Sequence, residues 1–188
     1  MTLSPSSEPR PCRACPKQFV PRRPLQAVCS LRCAKKEARQ KRLAGEALLK
    51  SQTRARKEAA KTKGELAAEA WAAFSKWIRW RDRNTTCIDC GQPFEPQKPG
   101  GSVDAGHFLA RSTHPHLKFD ERNVFAQRKN CNRPGGTTYA AFKAGVVARN
   151  GLATVEALEA DREPRRPRAA DLRAIRDLYR ARLKETKQ

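Results

Sequence analysis

The chain has 188 residues, enough for one ordinary domain or two small ones joined by a linker. Hydrophobic residues make up 38% and aromatic residues 6%, which argues against one large continuous core and makes the seven cysteines natural staples. Forty Lys plus Arg against nineteen Asp plus Glu leave a formal charge of +21, and a chain this basic binds polyanions, nucleic acid first among them. No apolar run approaches the roughly 18 to 20 residues of a membrane span, and the N-terminal MTLSPSSEPRPC has no apolar signal core. An odd cysteine count without such a signal points to metal-bound or free thiols. The expected compartment is therefore a reducing cytoplasm, with the charge favouring the nucleoid.

Residues 1–11 are rich in Ser and Pro and are expected to be disordered. From residue 12 the chain reads CRACPKQFVPRRPLQAVCSLRC. Cys12 and Cys15 form one close pair, Cys29 and Cys33 a second. Each pair spans one tight turn, and together they complete a tetrahedral zinc shell, which defines a module at 12–34. After Cys33 no proline occurs until Pro93, and residues 35–63 carry eleven Lys/Arg against three acids. That favours a long basic helix over 35–82, a connecting arm whose charge is either a solvated face or a phosphate contact. Within it Ala67, Ala70, Trp71, Phe74, Trp77 and Ile78 fall at helical spacing and form one apolar stripe. The stripe is expected to dock on the following domain, with base stacking by Trp80 as a second use.

A domain at 83–150 carries most of the chemistry. CIDCGQPF places Cys87 and Cys90 in another knuckle, with Gly91 in its tight turn. PGGSVDAGHFLAR predicts a turn and then a strand. In HPHLKFDERNVFAQRKNCN a helix is predicted to start at Asp120 or Glu121, with Val124, Phe125 and Arg128 at helical spacing, and Cys131 follows. The remainder, 151–188, is a basic helical region. It follows a helix near 139–149 and a break at RNG, and comprises a short helix near 152–161, a REPRRPR linker and a last helix with Leu172, Ile175, Tyr179 and Leu183 on one face. Ten Lys/Arg against five acids from residue 161 onward make the end of the chain a further phosphate-contacting or partner-binding element. Residue types alone leave His107 open as a base, a metal ligand or a polar strand residue.

The order of knuckle, DAGH, HLKF, NVFAQ and CN, after the N-terminal cysteine pairs, resembles the HNH nucleases and, more narrowly, the NinG (Rap) recombination proteins of lambda-like phages. The resemblance spans roughly residues 12–160. It implies an α+β fold: a ββα-metal core with zinc knuckles, joined by the long basic helix to the N-terminal four-cysteine module and followed by a helical tail. It also implies a metal-dependent endonuclease acting on Holliday junctions and D-loops. On that reading His107 is the general base, Asn123 orients it through backbone hydrogen bonds, and Arg111 contacts the scissile phosphate. Asp104, Asn132 and His116 are the expected ligands of a catalytic Mg²⁺ or Mn²⁺, with His114 a further candidate beside them. Zn²⁺ is expected at Cys12, Cys15, Cys29 and Cys33, and a second zinc at Cys87, Cys90 and Cys131.

One departure weakens that second site. The family reads QCxxCN before the terminal asparagine, whereas this chain reads QRKNCN, with Arg128 in place of the first cysteine. Expected partners are branched DNA, a second copy of the chain through the long helix, and phage or host recombination proteins. The competing reading is a zinc-binding DNA or RNA adaptor with an inactive core.

Overall fold

The computed structural model describes residues 8–95 and 101–186. The chain divides between Lys61 and Thr62 into two compact units.

In the first unit, strands β1 (Arg10–Pro11) and β2 (Gln18–Phe19) pair antiparallel and are followed by helix α1 (Leu31–Ala59). The expected disordered N-terminus reaches into this hairpin at Arg10 and Pro11, and its residues 1–7 lie outside the described residues. Ser30 caps α1, its hydroxyl accepting the Cys33 amide at 3.2 Å. Of the residues in α1 only Cys33 is buried, so the helix rests on intrinsic propensity and on surface pairs such as Glu37–Lys41 at 2.8 Å.

The second unit begins with α2 (Lys63–Arg81). The stretch read as one helix over 35–82 is therefore two, and the reason is local. Thr62 accepts the Glu65 amide at 3.2 Å while the Glu65 carboxylate accepts the Thr62 amide at 2.8 Å, a capping box that starts a new helix. Next come strands β3 (Val103–His107) and β4 (Val124–Arg128), then helices α3 (Tyr139–Asn150), α4 (Leu152–Ala160) and α5 (Ala169–Glu185). The breaks near 150 and through the Pro/Arg linker fall where the sequence puts them, with Gly151 at φ 84° between α3 and α4.

β3 and β4 pair antiparallel, with Asp104 opposite Gln127, Gly106 opposite Phe125 and His107 opposite Val124. Val124–Arg128 is thus a strand where a helix was expected. Its residues are apolar toward two cores at once: Val124 packs with Ala105, Phe74 and Ile78, and Phe125 with Ile88, Phe142 and Val146. A strand sends consecutive side chains to opposite faces and satisfies both cores.

The α2 stripe docks as expected, with Leu66, Ala70, Ala73, Phe74 and Ile78 buried. It packs chiefly against α5, whose Leu172 and Tyr179 are buried, so the apolar face of the last helix is core rather than a partner surface. Glu121 ties the pair to the β4 side: its carboxylate accepts from Trp77 at 3.1 Å, from Tyr179 at 2.9 Å and from Arg182. These three donors hold its pKa below the ordinary carboxylate value against the opposing effect of burial. No helix among the described residues is long and apolar enough to cross a membrane.

Candidate functional site

His107 ends β3 with its ring stacked on Trp71 of α2, centroids 4.9 Å apart and planes 17° from parallel. Its Nε2 lies 3.1 Å from the Lys118 carbonyl oxygen. A carbonyl only accepts, so Nε2 carries the proton and Nδ1 is left as the basic atom. Burial lowers the pKa of His107 below the ordinary imidazole value; the Lys118 carbonyl opposes this, and the charges of Arg111 and Lys118 add to it. The site thus holds a neutral imidazole with a fixed tautomer and a cation, Arg111, near it.

Asn123 is fully buried. Its Oδ1 accepts the Leu109 amide at 2.8 Å, and its Nδ2 donates to the carbonyls of Leu109 at 3.1 Å and Leu117 at 3.2 Å. The Phe108 amide donates to the Asn123 carbonyl at 2.8 Å. One side chain therefore closes the loop that leaves His107 and returns past Lys118, fixing both ends of the Nε2 contact.

Asp104 lies on the opposite strand face from His107 by alternation, and its Oδ2 accepts from Asn132 Nδ2 at 3.2 Å. Asn132 and His107 line the same cleft, together with Gln127, Thr137 and Tyr139. Gly106 makes this approach possible: a Cβ there would fall 1.3 Å from Gln127 Oε1 and 3.0 Å from Asn132 Oδ1. Gln127 is buried, its Nε2 donates to Asp89, and Asp89 also accepts from Thr137 Oγ1 at 2.6 Å. Its Oε1 is left buried with no donor. The Asp104–Asn132 pair and the orphaned Gln127 oxygen thus border a cradle that a side chain at 106 would fill.

His116 and His114 do not join this group. His116 Nε2 lies 3.0 Å from the Asp161 carbonyl oxygen, and the ring lines a different cleft with Arg162, Arg165 and Arg166. His114 sits between Thr113 and Arg162, which donates to its Nε2 at 2.9 Å. Both histidines anchor the linker ahead of α5. Gln127, Trp71, Lys118 and Asp89 are the neighbours of the site that residue types did not single out. The NVFAQ run contained Gln127, but only the strand register brings it opposite Asp104.

The sulfurs of Cys12, Cys15, Cys29 and Cys33 lie within 4.8 Å of one another and can hold a zinc ion. Cys12 is brought down to about 6, since the Ala14 and Cys29 amides and the neighbouring thiols outweigh burial. The hydrogen bond with Cys33, with burial, pushes Cys29 up to about 12. Four thiols this close together, with backbone amides turned on Cys12, are set up for a cation. Cys87, Cys90 and Cys131 form a second group within the same distance of one another. The knuckle turn is closed by the Gly91 amide on the Cys87 carbonyl at 3.0 Å, with Gly91 at φ 66°. Burial and the Cys90 thiol push Cys131 up to about 12, whereas the exposed Cys90 is lowered, its slight desolvation outweighed by the Gln92 amide, the other two thiols and Arg128.

Comparison with known proteins gives one family. The model described as "Bacteriophage Lambda NinG protein" matches residues 5–188. Protein ninG of Salmonella phage P22 is 32% identical over 130 residues, 69% of this chain and 62% of that protein. Protein ninG of Escherichia phage 933W is 31% identical over 136 residues, 72% of this chain and 65% of that protein. Protein ninG of Escherichia phage lambda is 30% identical over 130 residues, covering 69% and 61%. The chain thus spans somewhat less than two thirds of the relatives it matches. No solved structure matches it.

Proposed function

Because this chain belongs to the family of the bacteriophage lambda NinG protein, we propose that it is an HNH-type, metal-dependent endonuclease. Its substrates are branched recombination intermediates, four-way junctions and D-loops, whose phosphodiesters it hydrolyses. The observation that carries the reading is His107: a neutral imidazole, its Nε2 proton committed to the Lys118 carbonyl and its Nδ1 free to accept. Such a group takes a proton from an attacking water near neutral pH.

The neighbouring residues add to that reading, with Asp104 lying across β3 from the His107 ring. Asn123 holds the loop so that the imidazole cannot rotate away from the Lys118 carbonyl. Arg111, exposed and near His107, offers a guanidinium to the scissile phosphate. Asp104 and Asn132 would hold Mg²⁺ or Mn²⁺, which when bound stabilises charge on the phosphoryl and leaving oxygens. His116 has no part in that set. The β3–β4 pair followed by α3 gives the order strand, strand, helix that a ββα-metal core requires.

The net charge of +21 supplies sequence-independent grip on duplex arms, so branch recognition would rest on shape rather than base reading. Cutting both strands of a junction calls for two sites and hence a dimer. The direct test is incubation of the full chain with a synthetic four-way junction, a D-loop and linear duplex, with Mg²⁺, Mn²⁺ or EDTA. The reading expects nicks in the branched substrates with either metal and none with EDTA. An inert protein that still binds junctions would favour the adaptor reading.

A further inference from the structure

The second cysteine group is one donor short. Among the described residues, no fourth Cys, His, Asp or Glu joins Cys87, Cys90 and Cys131. Arg128 stands three residues before Cys131, the separation that also relates Cys87 to Cys90, so it occupies the place where a second knuckle would supply its first thiol. Its backbone amide donates to Cys87 Sγ at 3.3 Å, as an amide at that place in a knuckle does for a thiolate. Its guanidinium pairs with the Glu95 carboxylate at 2.6 Å and acts on the Cys90 thiol, whose pKa it helps to lower. A guanidinium has no lone pair to offer and stays protonated, so it cannot ligate a cation. It can, however, offset the net negative charge of a divalent ion held by three thiolates. Cys90 is exposed, which opens that side of the group to solvent.

The knuckle does not depend on a metal for its place. Ile88 belongs to the core with Phe125 and Val146, and its carbonyl is packed so close to Gly145 that a Cβ there would lie 1.8 Å away. Asp89 is bonded to Gln127 and Thr137. The shell can therefore exchange its ion without unfolding the unit, unlike a module folded by its metal.

We propose that Cys87, Cys90 and Cys131 bind zinc as a three-thiolate site with a solvent ligand in the fourth position, Arg128 serving as the charge partner of Cys90. Its ion is labile, whereas the ion at Cys12, Cys15, Cys29 and Cys33 is held in a closed shell. This inference does not depend on nuclease activity. The test is zinc content of the purified full chain, followed by the time course of zinc release to EDTA.

A zinc ion at each cluster is expected, one leaving at least about tenfold faster than the other because an open position admits the chelator. Cys131→Ser should abolish the fast phase, and Arg128→Cys should slow it to match the other. Cobalt substitution of the native chain gives a second readout that needs no variant. The fast-exchanging cobalt should show a weaker sulfur-to-metal charge-transfer band than the slow one. Zinc at the N-terminal cluster alone would overturn the proposal. So would release in a single phase unchanged by Arg128→Cys, or equal charge-transfer intensity at the two sites.

Discussion

Replacing Asn123 with alanine tests whether the loop carrying His107 is held as described. The substitution removes three hydrogen bonds from a fully buried position. At a net value near 1 kcal/mol each, plus about 1–3 kcal/mol for leaving the buried Leu109 amide without its acceptor, the loss comes to about 4–6 kcal/mol. For a chain of this size that corresponds to a fall in Tm of roughly 10 °C. All three tryptophans lie on α2, so denaturant unfolding followed by tryptophan fluorescence reports this unit specifically. Asn123→Asp is the sharper variant. It keeps an acceptor for Leu109 but turns an oxygen toward two carbonyls, so it should be at least as destabilising as alanine at neutral pH and recover partly in acid. A loss under about 1 kcal/mol for Asn123→Ala would mean that the loop is held by other contacts and that the positioning role is wrong.

The two glycines Gly45 and Gly106 should respond oppositely to alanine. Gly45→Ala meets nothing within 4 Å in an exposed helix and should stabilise α1 by about 1 kcal/mol, read by circular dichroism. Gly106→Ala drives a Cβ into the Gln127 amide and should cost about 1–3 kcal/mol, while also lowering cleavage through displacement of Gln127 and Asn132. Glu121→Gln weakens the tie between α2 and α5 and should cost about 2 kcal/mol in denaturant unfolding at pH 7. Because the folded pKa of Glu121 is depressed, that contribution is present above the unfolded carboxylate value and fades as pH falls through the lowered folded one. The wild-type minus variant difference should therefore shrink toward acid. His107 has the opposite chemistry: its lowered pKa places the acid limb of the cleavage profile below the ordinary imidazole value of 6.5. Its burial as a neutral ring costs stability only as pH falls below 6.5, where the unfolded state binds the extra proton. A limb at or above 6.5 in single-turnover cleavage would contradict this environment.

Much of this architecture is legible in residue order because it rests on local chemistry. Gly151, the REPRRPR run and the α2 stripe mark helix ends and a docking face that the structure reproduces. Spacing alone announces the Cys12, Cys15, Cys29 and Cys33 cluster, whereas Cys131 joins Cys87 and Cys90 only through the fold and the resemblance. The start of α2 was also written locally, in the Thr62 and Glu65 capping box, but a proline-free run of good helix formers masks it. β4 illustrates a real ambiguity. Val124, Phe125 and Arg128 fit a helix period as well as a strand buried on both faces, and only the partner strand decides. His116 shows a tertiary effect: its bond to Asp161, forty-five residues away, removes it from a ligand set to which its residue type admitted it. The orphaned oxygen of Gln127 and the Trp71 stack on His107 likewise arise from packing between distant segments.

The central claim is that His107 acts as the base for phosphodiester hydrolysis, and the most direct measurement is single-turnover cleavage of a four-way junction by wild type and His107→Ala under identical Mg²⁺ or Mn²⁺ conditions. Junction binding and unfolding midpoint are measured on the same preparations. The account predicts a rate reduced about 10² to 10⁴-fold in the variant, with junction affinity retained. Equal cleavage rates for the two proteins, with both folded and bound, would contradict it.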